Sequence, residues 1–174
     1  ESAFNPRAYS SAKASGIWQF IYTTGRSYGL KRTHWIDERR DPEKSTRAAA
    51  RHLRDLHDDL GSWPLALSAY NAGINRVKRD IRKAGTRASW KLRLPRQTRN
   101  YVPAFYAALM IAKEPEQYGF AIEYDPPVKY ETVEVYGGTR LSLVAAFCNT
   151  SVQDIRDLNT EIRQGCAPPG GSYT

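Results

Sequence analysis

No stretch of this sequence approaches the ~20 consecutive apolar residues that a membrane-spanning helix requires, and no signal peptide is visible at its start. The three histidines, His34, His52 and His57, show no metal-ligand spacing and no cysteine pair accompanies them, so neither a metal centre nor a cofactor is expected. There is no glycine-rich phosphate loop and no nucleophile elbow, which leaves nucleotide-dependent chemistry and α/β-hydrolase chemistry without their usual parts. No alternating, strand-like run appears before Glu123.

What is present is globular and basic. Hydrophobic residues make up 41% and aromatics 11% of the 174 residues, enough for one ordinary domain and a small appendage. The net charge of +8 is uneven: residues 1–122 hold 22 Lys and Arg against 11 Asp and Glu, whereas residues 123–174 hold 4 against 7. The first region, at +11, suits an anionic polymer; the second, at −3, faces something else.

The periodicity predicts a mainly α fold. A helix is expected from Gly16 to about Tyr28, stopped by Gly29. Asp41-Pro42 reads as the cap and first turn of an amphipathic helix carrying Ala49, Leu53, Leu56 and Leu60 inward and ending at Gly61. A short buried helix follows from Trp63 to Tyr70. A further helix carries Val77 and Ile81, shows Arg76, Lys78, Arg79, Arg82 and Lys83 outward, and stops at Gly85. The last long one spans about Thr98 to Lys113, with Val102, Phe105, Tyr106, Leu109 and Met110 as its apolar stripe. At residues 123–129 two prolines stiffen the chain and mark a boundary. Beyond it Tyr130–Tyr136 alternates as a strand, Gly137-Gly138 turns it, Thr139 stands to cap one helix, and Ser151 with Asp154 forms a capping box for another.

Three short segments carry the chemistry: Glu1-Ser2, Gly16-Ile17-Trp18-Gln19-Phe20 and Ala69-Tyr70-Asn71-Ala72-Gly73. Asn5–Ser10, Asp37-Glu38-Arg39-Arg40-Asp41-Pro42 and Leu94–Pro103 link them. In this order and spacing the segments closely resemble the lytic murein transglycosylases, whose catalytic domain is lysozyme-like, of the goose type. The resemblance runs from Glu1 to about Phe120. The tail, with Gly138-Thr139-x-Leu141 and Asp157-Leu158-Asn159, resembles a LysM module, a βααβ glycan-binding unit whose closing strand would begin near Ser172. The implied organisation is a catalytic domain over 1–122, a linker over 123–129 and an incomplete LysM-like module over 130–174.

The resemblance implies a glycosidase-like reaction run by one acid. Most enzymes that cleave glycosidic bonds use two carboxyl groups. In this family a single Glu protonates the leaving oxygen, then removes the proton from the C6 hydroxyl of N-acetylmuramic acid, which closes on C1 as a 1,6-anhydro ring without water. Glu1 is the matching position, and its pKa must rise above the ordinary ~4.3 for it to act as an acid. By the same resemblance Ser2, Gln19, Phe20, Tyr70, Asn71, Gln97 and Tyr101 meet the substrate, with Trp18 and Phe20 serving as core and cleft wall together. Gln97 departs from the family, which usually has Glu there. The implied partner is the peptidoglycan glycan strand, not nucleic acid, and the implied setting is the cell envelope, in the periplasm of a Gram-negative bacterium. A monomer is expected, with any export signal or membrane anchor upstream of Glu1.

Rival readings are visible too. A goose-type lysozyme would need a second carboxylate, Asp37 or Asp41, to hold water, although Asp41 before Pro42 also reads as a helix cap. A glycan-binding protein without turnover and a nucleic-acid binder are the other two. Cys148 and Cys166, an even pair in an exported small module, predict a disulfide. The tail holds no convergent acid, base or metal set, so a chain ending near Asp125 is expected to keep turnover.

Overall fold

Asp41 and Pro42 begin a helix as their chemistry favours. The Asp41 carboxylate accepts the Lys44 backbone N–H at 2.8 Å, and proline sits in the first turn, where its missing N–H costs nothing. The computed structural model describes residues 2–174 and is mainly helical. Its helices are α1 (Tyr22–Ser27), α2 (Pro42–Leu60), α3 (Trp63–Ala72), α4 (Ile74–Ala84), α5 (Arg96–Lys113), α6 (Leu141–Phe147) and α7 (Val152–Leu158), with strands β1 (Val135–Tyr136) and β2 (Ser172–Tyr173). Contacts group the chain into two compact units: His52–Val128, and Glu1–Arg51 together with Lys129–Thr174.

The His52–Val128 unit is organised around α3. Leu65, Ala66 and Ala69 of α3 join Leu56 and Leu60 of α2, Val77 of α4, and Leu92 and Leu94 ahead of α5 in one core. The small side chains at Ala66 and Ala69 let α3 pack against both α4 and α5. α3 stops at Gly73, whose φ of +86° only glycine adopts freely, and α4 stops at left-handed Gly85, as the sequence predicts. The apolar stripe of α5 is less covered than its pattern suggests: Phe105, Tyr106, Leu109 and Met110 are exposed.

In the other unit Phe20, Leu30, Ala48 and Ala49 form a small core, with Trp18 and Tyr28 packed on it. Here the structure corrects the helix expected from Gly16, which begins only at Tyr22. Gly16 and Gln19 have φ of +84° and +50°, and the Ser15 N–H donates to the Phe20 carbonyl at 3.0 Å. Those contacts close residues 15–20 into a tight loop that no right-handed helix can contain.

Residues 135–174 form two short helices between two short strands. β1 and β2 pair antiparallel, Val135 opposite Tyr173, so the strand expected over Tyr130–Tyr136 shrinks to the two residues that find ladder partners. The Ser151–Asp154 capping box forms as predicted. Thr139 does not cap α6: Arg140 takes that position, while the Thr139 backbone bonds to Tyr136 and Ala167.

The disulfide expected between Cys148 and Cys166 is also corrected, since both are free thiols. Cys166 bridges to Arg140 at the start of α6, and Cys148 follows its end. At ~1.5 Å rise per residue Arg140, beside Cys166, lies about 12 Å along the helix from Cys148, so the two thiols stand at opposite ends of α6 rather than facing each other as a disulfide requires.

The chain after α7 returns to the segment before α2. The Asp37 N–H donates to the Glu161 carbonyl and the Arg163 N–H to the Trp35 carbonyl, both at 2.8 Å, with Ile36 and Ile162 bridged between them. The Thr160 hydroxyl donates to the Arg40 carbonyl at 2.7 Å. Thr160 and Glu161 are buried there.

Candidate active site

Glu1, the residue expected to carry the proton, lies outside the described residues. Its neighbour Ser2 is tied to the Gly16–Phe20 loop, its hydroxyl donating to the Ile17 carbonyl at 3.0 Å. In the same loop the Gln19 side-chain amide donates to the carbonyls of Gly16 at 2.8 Å and Ala8 at 3.3 Å. Both amide hydrogens are thereby used to hold the loop, and what Gln19 can offer a ligand is its carbonyl oxygen as an acceptor. Of the two roles expected of Phe20, core and cleft wall, the structure shows the core one: at 2% exposure it packs on Leu30, Ala48 and Ala49 and leaves a cleft little of its surface. Trp18 is half-buried, and its indole N–H donates to Thr46 at 2.8 Å.

Behind the loop lies a buried ion pair. Arg39 grips Asp37 with a two-pronged contact, Nε to Oδ1 at 2.8 Å and Nη2 to Oδ2 at 2.6 Å, and both residues are nearly inaccessible. Its remaining nitrogen donates to the carbonyls of Phe20 and Lys13 at 2.8 and 2.9 Å. Such a pair is held by geometry, and removing one partner leaves an uncompensated buried charge at a cost of ~3–5 kcal/mol. Glu38 is buried beside it and accepts from Lys44 and from the Lys31 N–H.

Tyr70, Asn71, Gln97 and Tyr101 belong to the other compact unit. Tyr70 and Asn71 sit half-buried in the last turn of α3, where the chain must break at Gly73. The Asn71 side-chain oxygen accepts from the hydroxyl of Thr98 at 2.9 Å, joining the end of α3 to the first turn of α5. That contact leaves the Asn71 NH2 as its donor group for a ligand. Gln97, which is exposed, and the half-buried Tyr101 are four residues apart and share one face of α5. The His52 ring lies 5.3 Å from that of Tyr70; burial pushes the imidazole below its ordinary value against the pull of Asp55, so it is neutral at pH 7.

Sequence reasoning missed Arg39, Thr98 and His52. Arg39 lay in plain view two residues after Asp37, but an Asp-x-Arg pair has no periodicity that marks it as buried. Thr98 was legible only as a helix start. Among the described residues no group of three His, Cys, Asp or Glu side chains comes together as a metal cage, and no helix is long and apolar enough to cross a membrane.

Comparison with known proteins gives these residues a family. Residues 1–93 match the Transglycosylase SLT domain. The chain is 37% identical over 169 residues to the membrane-bound lytic murein transglycosylase D of Escherichia coli (strain K12), an alignment covering 94% of this chain and 37% of that protein. It is 38% identical over 90 residues to a putative tributyltin chloride resistance protein of Alteromonas sp. (strain M-1), covering 51% of this chain and 44% of that one. To a putative soluble lytic murein transglycosylase of Haemophilus influenzae it is 32% identical over 137 residues, covering 67% and 22%. In each case the matched region spans less than half the relative's length.

Proposed function

Since the chain belongs to the Transglycosylase SLT domain family, we propose that it cleaves peptidoglycan glycan strands at the β-1,4 bond between N-acetylmuramic acid and N-acetylglucosamine without water, leaving 1,6-anhydro ends. Glu1 is the acid that protonates the leaving oxygen and the base that then takes the C6 hydroxyl proton. Ser2, Gln19, Tyr70, Asn71, Gln97 and Tyr101 bind the strand, with Gln19 accepting through its carbonyl and Asn71 donating through its NH2.

The observation that carries this reading over hydrolysis is the engagement of the other carboxylates in the motif segments. A goose-type hydrolase would hold its water on Asp37 or Asp41. Asp37 is 2% exposed and locked in the fork of Arg39, and Asp41 caps α2. Asp37 is closed to a water and Asp41 is partly committed to the helix start, which supports the single-acid route.

Residues 1–122 then form the catalytic domain, 123–129 the linker and 130–174 a LysM-like module; the β1-α6-α7-β2 order and the Ser151–Asp154 cap support the module. The setting is the cell envelope, in the periplasm, with the protein acting as a monomer. Mass spectrometry of products released from purified sacculi tests the reaction: 1,6-anhydro ends support it, and reducing ends identify a hydrolase.

A further inference from the structure

We infer that Thr160 and Glu161, far from the sequence motifs, are positioning residues for the Gly16–Phe20 loop and act on it through Arg40, Asp37 and Arg39. The inference rests on the reading that this loop borders the glycan.

Two chains of hydrogen bonds run from residues 160–161 to the loop. In the first, the Thr160 hydroxyl donates to the Arg40 carbonyl at 2.7 Å, Arg40 Nε donates to the Ser15 hydroxyl at 3.2 Å, and the Ser15 N–H closes the loop on the Phe20 carbonyl at 3.0 Å. In the second, the Glu161 carbonyl accepts the Asp37 N–H at 2.8 Å, the Asp37 carboxylate holds Arg39, and Arg39 donates to the Phe20 carbonyl at 2.8 Å. Both chains end on the two residues that close the loop.

Burial gives these contacts their weight. Ser15, Asp37, Arg39, Thr160 and Glu161 are all buried, so water does not replace a lost bond. No helical ladder holds the loop; the Ser15–Phe20 and Gln19–Gly16 hydrogen bonds do, around a Gln19 backbone at positive φ. Such a conformation persists only where its surroundings impose it. Gln19 is aimed by that conformation, and a displacement of ~1 Å at a binding group weakens productive geometry strongly. Residues 160–161 thus belong to the machinery that aims the loop, although they lie beyond the 1–93 family match. On this inference a chain ending near Asp125 loses both sets of contacts and binds the strand more weakly.

The test uses the full chain and peptide-free glycan strands at a temperature where each variant is folded by circular dichroism. Thr160→Val removes the donor at constant shape and is expected to raise KM by about 3- to 10-fold, the size of one buried hydrogen bond, with kcat changed less than about twofold. Thr160→Ser keeps the donor and restores KM. Hydrogen exchange of residues 13–21 should quicken in the Val variant and not in the Ser variant. Ser15→Ala, which cuts the same chain nearer the loop, should show the same rise, and the double variant should be no worse than either single.

A folded Thr160→Val with wild-type KM and wild-type exchange overturns the inference, as do additive effects in the double variant. If Thr160→Val does not fold, Ser15→Ala decides, and its wild-type KM and exchange would overturn the idea equally. Failure of the functional reading looks different: wild-type protein then yields no anhydro products, while the exchange comparison still reports on the loop.

Discussion

Gly16 lies directly beneath the backbone carbonyl of Arg39: a Cβ on Gly16 would stand 1.7 Å from the Arg39 oxygen and 2.7 Å from its carbonyl carbon. No side-chain adjustment relieves that contact, because both atoms are backbone, and the Gly16 φ of +84° adds strain of its own. Gly16→Ala is therefore expected to cost at least ~3 kcal/mol, beyond the usual effect of a point substitution. Gly29 is the control, since it has a φ of +86° with nothing within 4 Å of its Cβ position. Gly29→Ala should lose only the ~1–2 kcal/mol of a left-handed alanine. Urea unfolding of both variants checks the contrast, and similar midpoints would refute the close packing of the loop on Arg39.

The buried Glu161 makes stability depend on pH. Burial is the largest influence on its carboxyl and raises its pKa above the ordinary 4.5, against its hydrogen bonds from the backbone and Tyr173; Asp41 pushes the same way as burial and Lys44 against it. The folded state thus holds the proton more tightly than the unfolded chain. The stability this contributes is complete below the unfolded pKa and is lost as pH rises through the folded one. Glu161→Gln cannot ionise yet keeps an acceptor for the Tyr173 hydroxyl. Its melting temperature relative to wild type should therefore climb between pH 4 and pH 7. A difference that stays flat across that range would show that Glu161 titrates normally.

Cys148 and Cys166 should both react with a thiol reagent after denaturation without reductant, even in protein recovered from an oxidising compartment. The seven-residue helix between their attachment points sets the separation, so partial unfolding of α6 would have to precede any bridge. Protection of both thiols in freshly purified protein would contradict this geometry.

The sequence carried the helical framework well because helix ends have local chemistry. Asp41 with Pro42, Ser151 with Asp154, and the glycines at 73 and 85 act within one turn of where they stand. It misled at Gly16–Phe20, where a helical composition is overruled by a carbonyl, that of Arg39, more than twenty residues away. At Phe20 it left two roles together, since the same aromatic suits a cleft and a core, and burial is what shows the core one. The return of residues 160–163 to Trp35–Arg40 was invisible for a related reason: it is made largely through backbone groups, which every residue has and no motif records.

Glu1→Gln in a chain that includes whatever precedes this position should abolish cleavage and leave glycan binding nearly intact. The amide keeps the shape of the carboxyl but can neither give a proton to the leaving oxygen nor take one from the C6 hydroxyl. General acid and general base help are each worth ~100 to 10,000-fold, and one group serves both roles here, so a single substitution removes both. A two-carboxylate hydrolase would lose only protonation of the leaving oxygen, its second carboxylate still being able to activate water. Wild-type products separate the two chemically: a 1,6-anhydro end is lighter by one water than the reducing end a hydrolase leaves. Binding of intact strands by the Gln variant, followed on sacculi by sedimentation, distinguishes loss of chemistry from loss of the fold. Near-normal turnover by that variant would remove Glu1 from the reaction, and since Asp37 and Asp41 are already engaged by Arg39 and by the first turn of α2, the acid would then have to be sought outside the motifs.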